Sequence, residues 1–322
     1  METAVASPDL VPISDARRLA WAVLSRAACG PSHGLWRLVD ELGVEDAAAA
    51  VEAGDVAVAV AADVLERGDR ELAARDLQAL IDSGGRLVTP EDQEWPAARL
   101  STLHSCPFTD ARAGVAPLAL WVRGSASLST IARAPVAAIL GHRSATGYGD
   151  CVVNDFVENF AARGWAICSS AEQGAASRAH RTALACQAPT IAVLACGIDR
   201  VYLHRDQDLT ERIAAGGLLV TEYPPHTPLR PTRANDAARL VAALSDIAVA
   251  VEAQVGDLTC RTVRWAGWLG AQTYAVPGPV TSAASTGCHE LISTGRANLA
   301  ADACSIAQPQ HWADHRDRSV AS

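Results

Sequence analysis

Apolar and polar positions along this chain change period near residue 134. From there on, short apolar runs alternate with longer stretches of helical spacing. The clearest run is Val136-Ala137-Ala138-Ile139-Leu140. The polar turn Gly141-His142-Arg143-Ser144-Ala145-Thr146 follows, then a helical pattern opening at Tyr148-Gly149. A short apolar run bounded by turn signals predicts a strand buried on both faces. The same reading places strands at 136–140, 165–169, 190–195, 217–221, 246–251 and 272–276, and helices near 150–163, 175–187, 205–215, 234–244 and 260–269. The fold class expected is α/β, an extended Rossmann-like parallel sheet over about 130–306 with helices on both faces.

Upstream the period is helical. Ser14 or Asp15 is placed to cap a helix through about Ala28, and Leu35, Leu38, Val39 and Leu42 recur at helical spacing before Gly43. Alanine-rich helices follow near 45–66 and 68–83, so 1–84 reads as a small all-helical domain. Residues 85–129 read as a connector on the sheet edge, with strands at Gly85-Arg86-Leu87-Val88 and 118–124 and a loose loop from Pro107 to Val115. Residues 307–322 read as a polar tail.

Composition changes this picture little. Hydrophobic residues make up 49 % of 322, enough for a large core. No run is long and apolar enough to span a bilayer, and residues 1–15 lack a signal-peptide order, so a cytoplasmic chain is expected, without a membrane partner. The nine cysteines show no metal-type spacing and read as reduced and structural; no metal or cofactor is expected. Charge matters more. The net charge is −9 and every basic residue is arginine. Residues 1–129 hold 11 arginines against 19 acids, whereas 130–300 hold 14 against 14. The acid excess sits in the helical part, and electrostatics alone does not argue for a nucleic-acid partner.

Ligands in open α/β sheets bind beyond the carboxyl ends of the strands. The turn after the first strand leaves backbone N–H groups at a helix entrance, a natural anion site, and Arg143 adds a guanidinium suited to phosphate. A plain strand–turn–helix with a surface arginine explains that stretch equally well.

The strand-end loops, taken together, carry a resemblance. In order they read Gly141-x-Arg143-x-x-Thr146-x-Tyr148-Gly149, Ala179-His180-Arg181-x-Ala183-Leu184, Ala192-Val193-Leu194-Ala195-Cys196-Gly197-Ile198-Asp199, Glu222-Tyr223-Pro224-Pro225, Val251-Glu252-Ala253 and Ala275-Val276-Pro277-Gly278-x-x-x-Ser282. Over about residues 80–300 this resembles the DNA-processing protein A family, also called Smf, and the loop Pro277 to His289 resembles its actinobacterial members. The resemblance implies a Rossmann-like domain after a sterile-alpha-motif-like helical domain. It implies binding of single-stranded DNA without strong sequence preference, strand protection, and loading of a RecA-type recombinase in transformation, with no catalytic activity. Many members act as dimers, which leaves a homodimer open here.

The positions that would then hold DNA phosphates are Gly141, Arg143, Ser144, Thr146, Ser169, Gly174, His180, Thr262, Ser282 and Ser285. Several have a plainer reading. Ser144 and Thr146 suit helix capping, His180 suits a satisfied core histidine, and Tyr148 suits packing under the turn as well as stacking on a base. Ser282, Ser285 and Gly287 suit either an anion nest or an ordinary capped turn.

The chain also departs from the family pattern. Its second loop has Ser170 where a glycine is usual and Ala176 where an aspartate is usual, and it adds Glu172. In the segment Arg233 to Arg239 only the outer arginines of the family pattern stand, and Asp257-Leu258 replaces a Ser-Gly turn, although Thr262 stands. No counterpart is expected of the winged-helix domain that ends many members. These departures imply a divergent member with weakened DNA binding. Two other readings stay open. One is a small-nucleotide binder or hydrolase using Glu222 or Glu252 as a general base, although both suit helix-start or arginine pairing. The other is a degenerate paralogue that keeps only a protein partner.

Overall fold

Short polar side chains start the N-terminal helices where the sequence places them. In the computed structural model, which describes residues 14–64, 68–105, 114–200 and 207–306, Ser14 accepts from the Arg17 amide and opens α1 (Asp15–Ala28). Ser32 accepts from Leu35 N and opens α2 (His33–Leu42). The helix expected over 45–66 is instead α3 (Val44–Ala53) and the single turn α4 (Val58–Ala61). The break falls at Gly54, whose φ of +72° ends a helix at little cost. Asp69 caps α5 (Arg70–Asp82).

The sheet follows. β1 (Gly85–Val88), α6 (Ala97–Leu100), β2 (Leu120–Arg123) and α7 (Leu128–Arg133) lead into β3 (Val136–Gly141) and α8 (Gly147–Ala161). Next come β4 (Ala166–Ser170), α9 (Ala175–Ala185), β5 (Thr190–Val193), α10 (Gln207–Gly216), β6 (Leu218–Thr221) and α11 (Pro231–Ala243). The chain closes with β7 (Ile247–Glu252), α12 (Leu258–Trp268), β8 (Gln272–Ala275), α13 (Thr286–Ser293), β9 (Asn298–Leu299) and α14 (Ala303–Ile306). All six strands expected from residue 134 onward form, within two residues at each end.

The strand order is β1-β2-β6-β5-β4-β3-β7-β8-β9. The sheet is mixed rather than wholly parallel: β1 pairs with β2, and β2 with β6, antiparallel, and the remaining pairs are parallel. The two strands expected at 85–88 and 118–124 form as β1 and β2 at the sheet edge, and what the sequence did not indicate is their antiparallel direction. β9 has only two residues, too few for a periodic signal. Residues 107–113 of the loop expected from Pro107 to Val115, residues 205–206 of the helix expected over 205–215, and the tail 307–322 lie outside the described residues.

Side-chain alternation explains the layers. Val136, Ala138 and Leu140 point into a core shared with α11 and α12, while Ala137 and Ile139 join Val153, Phe156 and Ala179 of α8 and α9 on the other face. On that second face, Leu87, Trp121, Ala192 and Leu219 share a core with Trp21, Leu24 and Leu35. The N-terminal helices therefore cover the sheet rather than stand apart from it. Trp121 Nε1 donates to Ser25 Oγ at 3.1 Å across this contact.

Candidate functional site

Strand order reverses at β3, which lies between β4 and β7. Ligands in open α/β sheets bind beyond the carboxyl ends of the strands at such a switch point. The loops after β3, β7 and β8 meet there. Tyr148 donates from its hydroxyl to Pro277 O at 2.7 Å, and Ala253 N donates to Ala284 O at 2.8 Å.

Three helix starts expected to hold phosphates are occupied by the protein itself. At α8, Thr146 donates to Glu252 from both its amide (2.9 Å) and its hydroxyl (2.6 Å), and the same hydroxyl accepts from Gly149 N at 3.2 Å. Thr146 is thus a cap. At α9, Gly174 has φ +81°, and a Cβ there would fall 2.4 Å from the carbonyl oxygens of His142 and Arg143. Those carbonyls cover the helix entrance, and Ala175 N donates to His142 O. At α13, Gly287 N donates to Ala253 O at 2.8 Å, and Ser285 is buried, so the suspected second nest holds the loop after β7 in place.

His180 does not reach the surface. It is 0 % exposed, with Nδ1 2.7 Å from Thr190 Oγ1 and Nε2 3.1 Å from Ser170 O. Burial pushes its pKa down to about 4, so the ring is neutral at pH 7. It is a satisfied core histidine that props the loop after β4. Arg143 and Ser144 are exposed on the loop after β3, and Ser282 is half-buried beyond β8.

A cavity of about 60 Å³ brings Gly141, Ser169 and Thr262 together beyond β3, β4 and β5. Ser170, Glu172, Ala176, Ala234, Ala237, Leu258 and Thr259 also line it. Ser169 donates its hydroxyl to Ile139 O at 2.7 Å and Thr262 to Leu258 O at 2.8 Å, so both are engaged with backbone. Among the described lining residues there is no arginine, and Glu172 is the charged one. The departures at Ser170, Glu172 and Ala176 therefore fall on the cavity wall.

What sequence reasoning missed lies at the mouth. The first turns of α11 and α12 border the cavity through Ala234, Leu258 and Thr259, and neither start carries a side-chain cap. Uncapped helix starts present N–H groups and a partial positive charge. Exposed Arg261 donates to Asn235 Oδ1 at 2.6 Å and ties α12 to α11 there, and exposed Arg230 immediately precedes α11. Pro231 at the first helical position and the Asp257-Leu258-Thr259 entrance were the available signals.

The two glutamates considered as general bases are both committed. Glu252 caps α8, and Glu222 is buried against Arg239. The described residues hold eight cysteines outside any disulfide, of which Cys29, Cys168, Cys196, Cys260 and Cys288 are buried, and Cys151, Cys186 and Cys304 are exposed. Burial pushes the Cys168, Cys196 and Cys288 thiols up to about 12, which makes them poor nucleophiles. Among the described residues no helix is long and apolar enough to cross a membrane.

Comparison with known proteins agrees with the motif order. A DNA processing protein DprA of Mycobacterium tuberculosis is 41 % identical over 278 residues, covering 86 % of this chain and 71 % of that one. DNA processing protein A of Streptococcus pneumoniae superimposes with a TM-score of 0.72 at 22 % identity, over 92 % of this chain and 98 % of that one. DNA processing protein A of Helicobacter pylori, a structure described for its single-stranded DNA binding mode, gives 0.58 at 23 % identity over 69 % and 94 %. These two show the fold. The model of the DNA recombination-mediator protein A family matches residues 86–310, and the chain belongs to that family.

Proposed function

We propose that this chain binds single-stranded DNA along the carboxyl rim of its sheet, shields it, and passes it to a RecA-type recombinase in DNA uptake or processing, acting as a homodimer in the cytoplasm without catalytic activity of its own. The observation that carries the reading is the pair of helix starts without a side-chain cap, α11 with Arg230 at its N-cap and α12 with Arg261 in its first turn behind the N-cap Asp257, beside a cavity at the strand ends of a family member. Backbone N–H groups and guanidinium forks are what a sugar-phosphate chain needs, and they work locally even on an acidic protein. The commitment of Glu222 and Glu252 speaks against a hydrolase.

Titration of a labelled oligo-dT by fluorescence anisotropy tests this. Affinity is expected to fall with salt, with a log–log slope of about −2 to −3 if three or four phosphates are held. Replacing Arg261 and Arg230 together by alanine is expected to weaken binding about tenfold at low salt. An Arg143→Ala change that leaves affinity unaltered would take the loop after β3 off the DNA path. Absence of binding at the lowest practical salt would instead favour the degenerate paralogue, a reading that draws on Glu172 in the cavity wall.

A further inference from the structure

The cavity beyond β3, β4 and β5 is largely apolar with one acidic residue in its wall. Leu140, Val193 and Leu194 line it from the strand ends, and Ala237, Ala238 and Val241 from α11. Ser169 and Thr262 spend their hydroxyl protons on backbone carbonyls. Among the described residues, the Ser170 and Thr259 hydroxyls and the half-buried Glu172 carboxylate meet no hydrogen-bond or ionic partner. At about 60 Å³ the cavity has room for about four to six waters, which suits one flat ring rather than a stretch of strand. A phosphate is the wrong occupant: the described lining has no arginine, and a carboxylate in the wall repels an anion. A neutral heterocycle fits, because apolar walls take its faces and the carboxylate takes N–H donors on its edge.

We propose that the cavity is a nucleobase slot in which Glu172 selects guanine. Guanine sets its ring N1–H and its exocyclic amino group side by side, and a carboxylate accepts both, one on each oxygen. Adenine and cytosine set one amino donor beside a bare ring nitrogen, and thymine sets one N–H between two carbonyls. Each of these turns a lone pair towards the carboxylate. The inference deepens the nucleic-acid reading and rests on it for how the base arrives. The sugar-phosphate chain runs over the rim, past Gly141 of the loop after β3 and the α11 and α12 starts, and one base turns inwards past Ala234 and Leu258. Turning a base inwards costs least in a single strand. Selection acts at that one position, while the phosphate grip common to every sequence supplies most of the affinity.

The test uses the full-length protein and oligo-dT, alone or with one central thymine replaced by dG, dA or dC. Anisotropy at a single low salt concentration gives the four affinities. The dG strand is expected to bind about fivefold tighter than oligo-dT, with the dA and dC strands within about twofold of it. Glu172→Gln keeps the side-chain length but exchanges an acceptor for a donor. The dG advantage is then expected to vanish and dA to gain, since an amide pairs bidentately with adenine. Losing a general repulsion raises all four affinities alike, so the ratio is what is read. Ala234→Leu, at a half-buried helix position, narrows the mouth and is expected to erase the dG advantage with the carboxylate intact. Thermal melts with millimolar deoxyguanosine or thymidine separate a free nucleoside from a base in a strand. A shift with deoxyguanosine alone means that the slot also fills without a strand; no shift beside a dG advantage means that the strand must deliver the base. Equal binding of all four strands by wild type overturns the slot and leaves the DNA reading standing, and so does a dG advantage that survives Glu172→Gln. If no strand binds but deoxyguanosine stabilises the protein, the DNA reading falls and the slot remains. If neither happens, both fall.

Discussion

Glu222→Leu is expected to lower the unfolding free energy by about 3–5 kcal/mol in urea titrations, because it strands a buried guanidinium. Arg239 is 0 % exposed and Glu222 4 %, and the charge-assisted bond between Arg239 Nη2 and Glu222 Oε2 joins α11 to the end of β6. Among the described residues, Nε and Nη1 of Arg239 meet no hydrogen-bond acceptor. A pair held this incompletely gains little over a well-packed apolar one, while either partner alone is costly. The double change Glu222→Leu with Arg239→Met is therefore expected to recover most of the loss and to fall within about 1.5 kcal/mol of wild type. A double variant as unstable as Glu222→Leu would show that the pair contributes net stability. Ser25 donates its hydroxyl to Glu222 O from α1, so the single change should also loosen the N-terminal helices, visible as faster amide exchange in α1.

The central sheet was legible because its strands are apolar runs with polar punctuation, and burial on both faces leaves little else such runs can do. The edges were harder. β2 reads like any apolar strand, and nothing local says that it runs antiparallel to β6. The helix expected over 45–66 kept its alanine content but broke at Gly54, a position where the C-cap signal outweighed propensity. At the site, the motif residues fell at the strand ends as expected, yet their partners did not show. Thr146 and Glu252 are 106 residues apart in the chain, and no window connects them. One local hint existed: a Thr N-cap followed by glycine at the capping-box position asks where the acid is. His180 was readable too, since Ala175, Ala176, Ala179 and Ala183 share its helical face, and that face is buried.

That buried imidazole gives the second large effect. Stability is expected to fall by about 2 kcal/mol through His180 alone between pH 7.5 and pH 5. The sign follows from burial. Desolvation holds the folded-state pKa at about 4, against about 6.5 in the unfolded chain, so the unfolded state binds the extra proton first as pH drops. The contribution is fully present above the unfolded value and is lost as pH falls through the folded one. The hydrogen bond to Ser170 O opposes this shift without cancelling it. His180→Gln can still donate to Ser170 O and accept from Thr190 Oγ1, so a folded variant is expected, less stable at pH 7.5 but with a shallower decline towards pH 5. Urea unfolding of both proteins across that range isolates the histidine, because other titrating groups enter both curves alike. Parallel curves would mean that the ring reaches water and charges without unfolding. In that case the loop after β4, which the ring props through Ser170 at the cavity wall, would have to open in the native state.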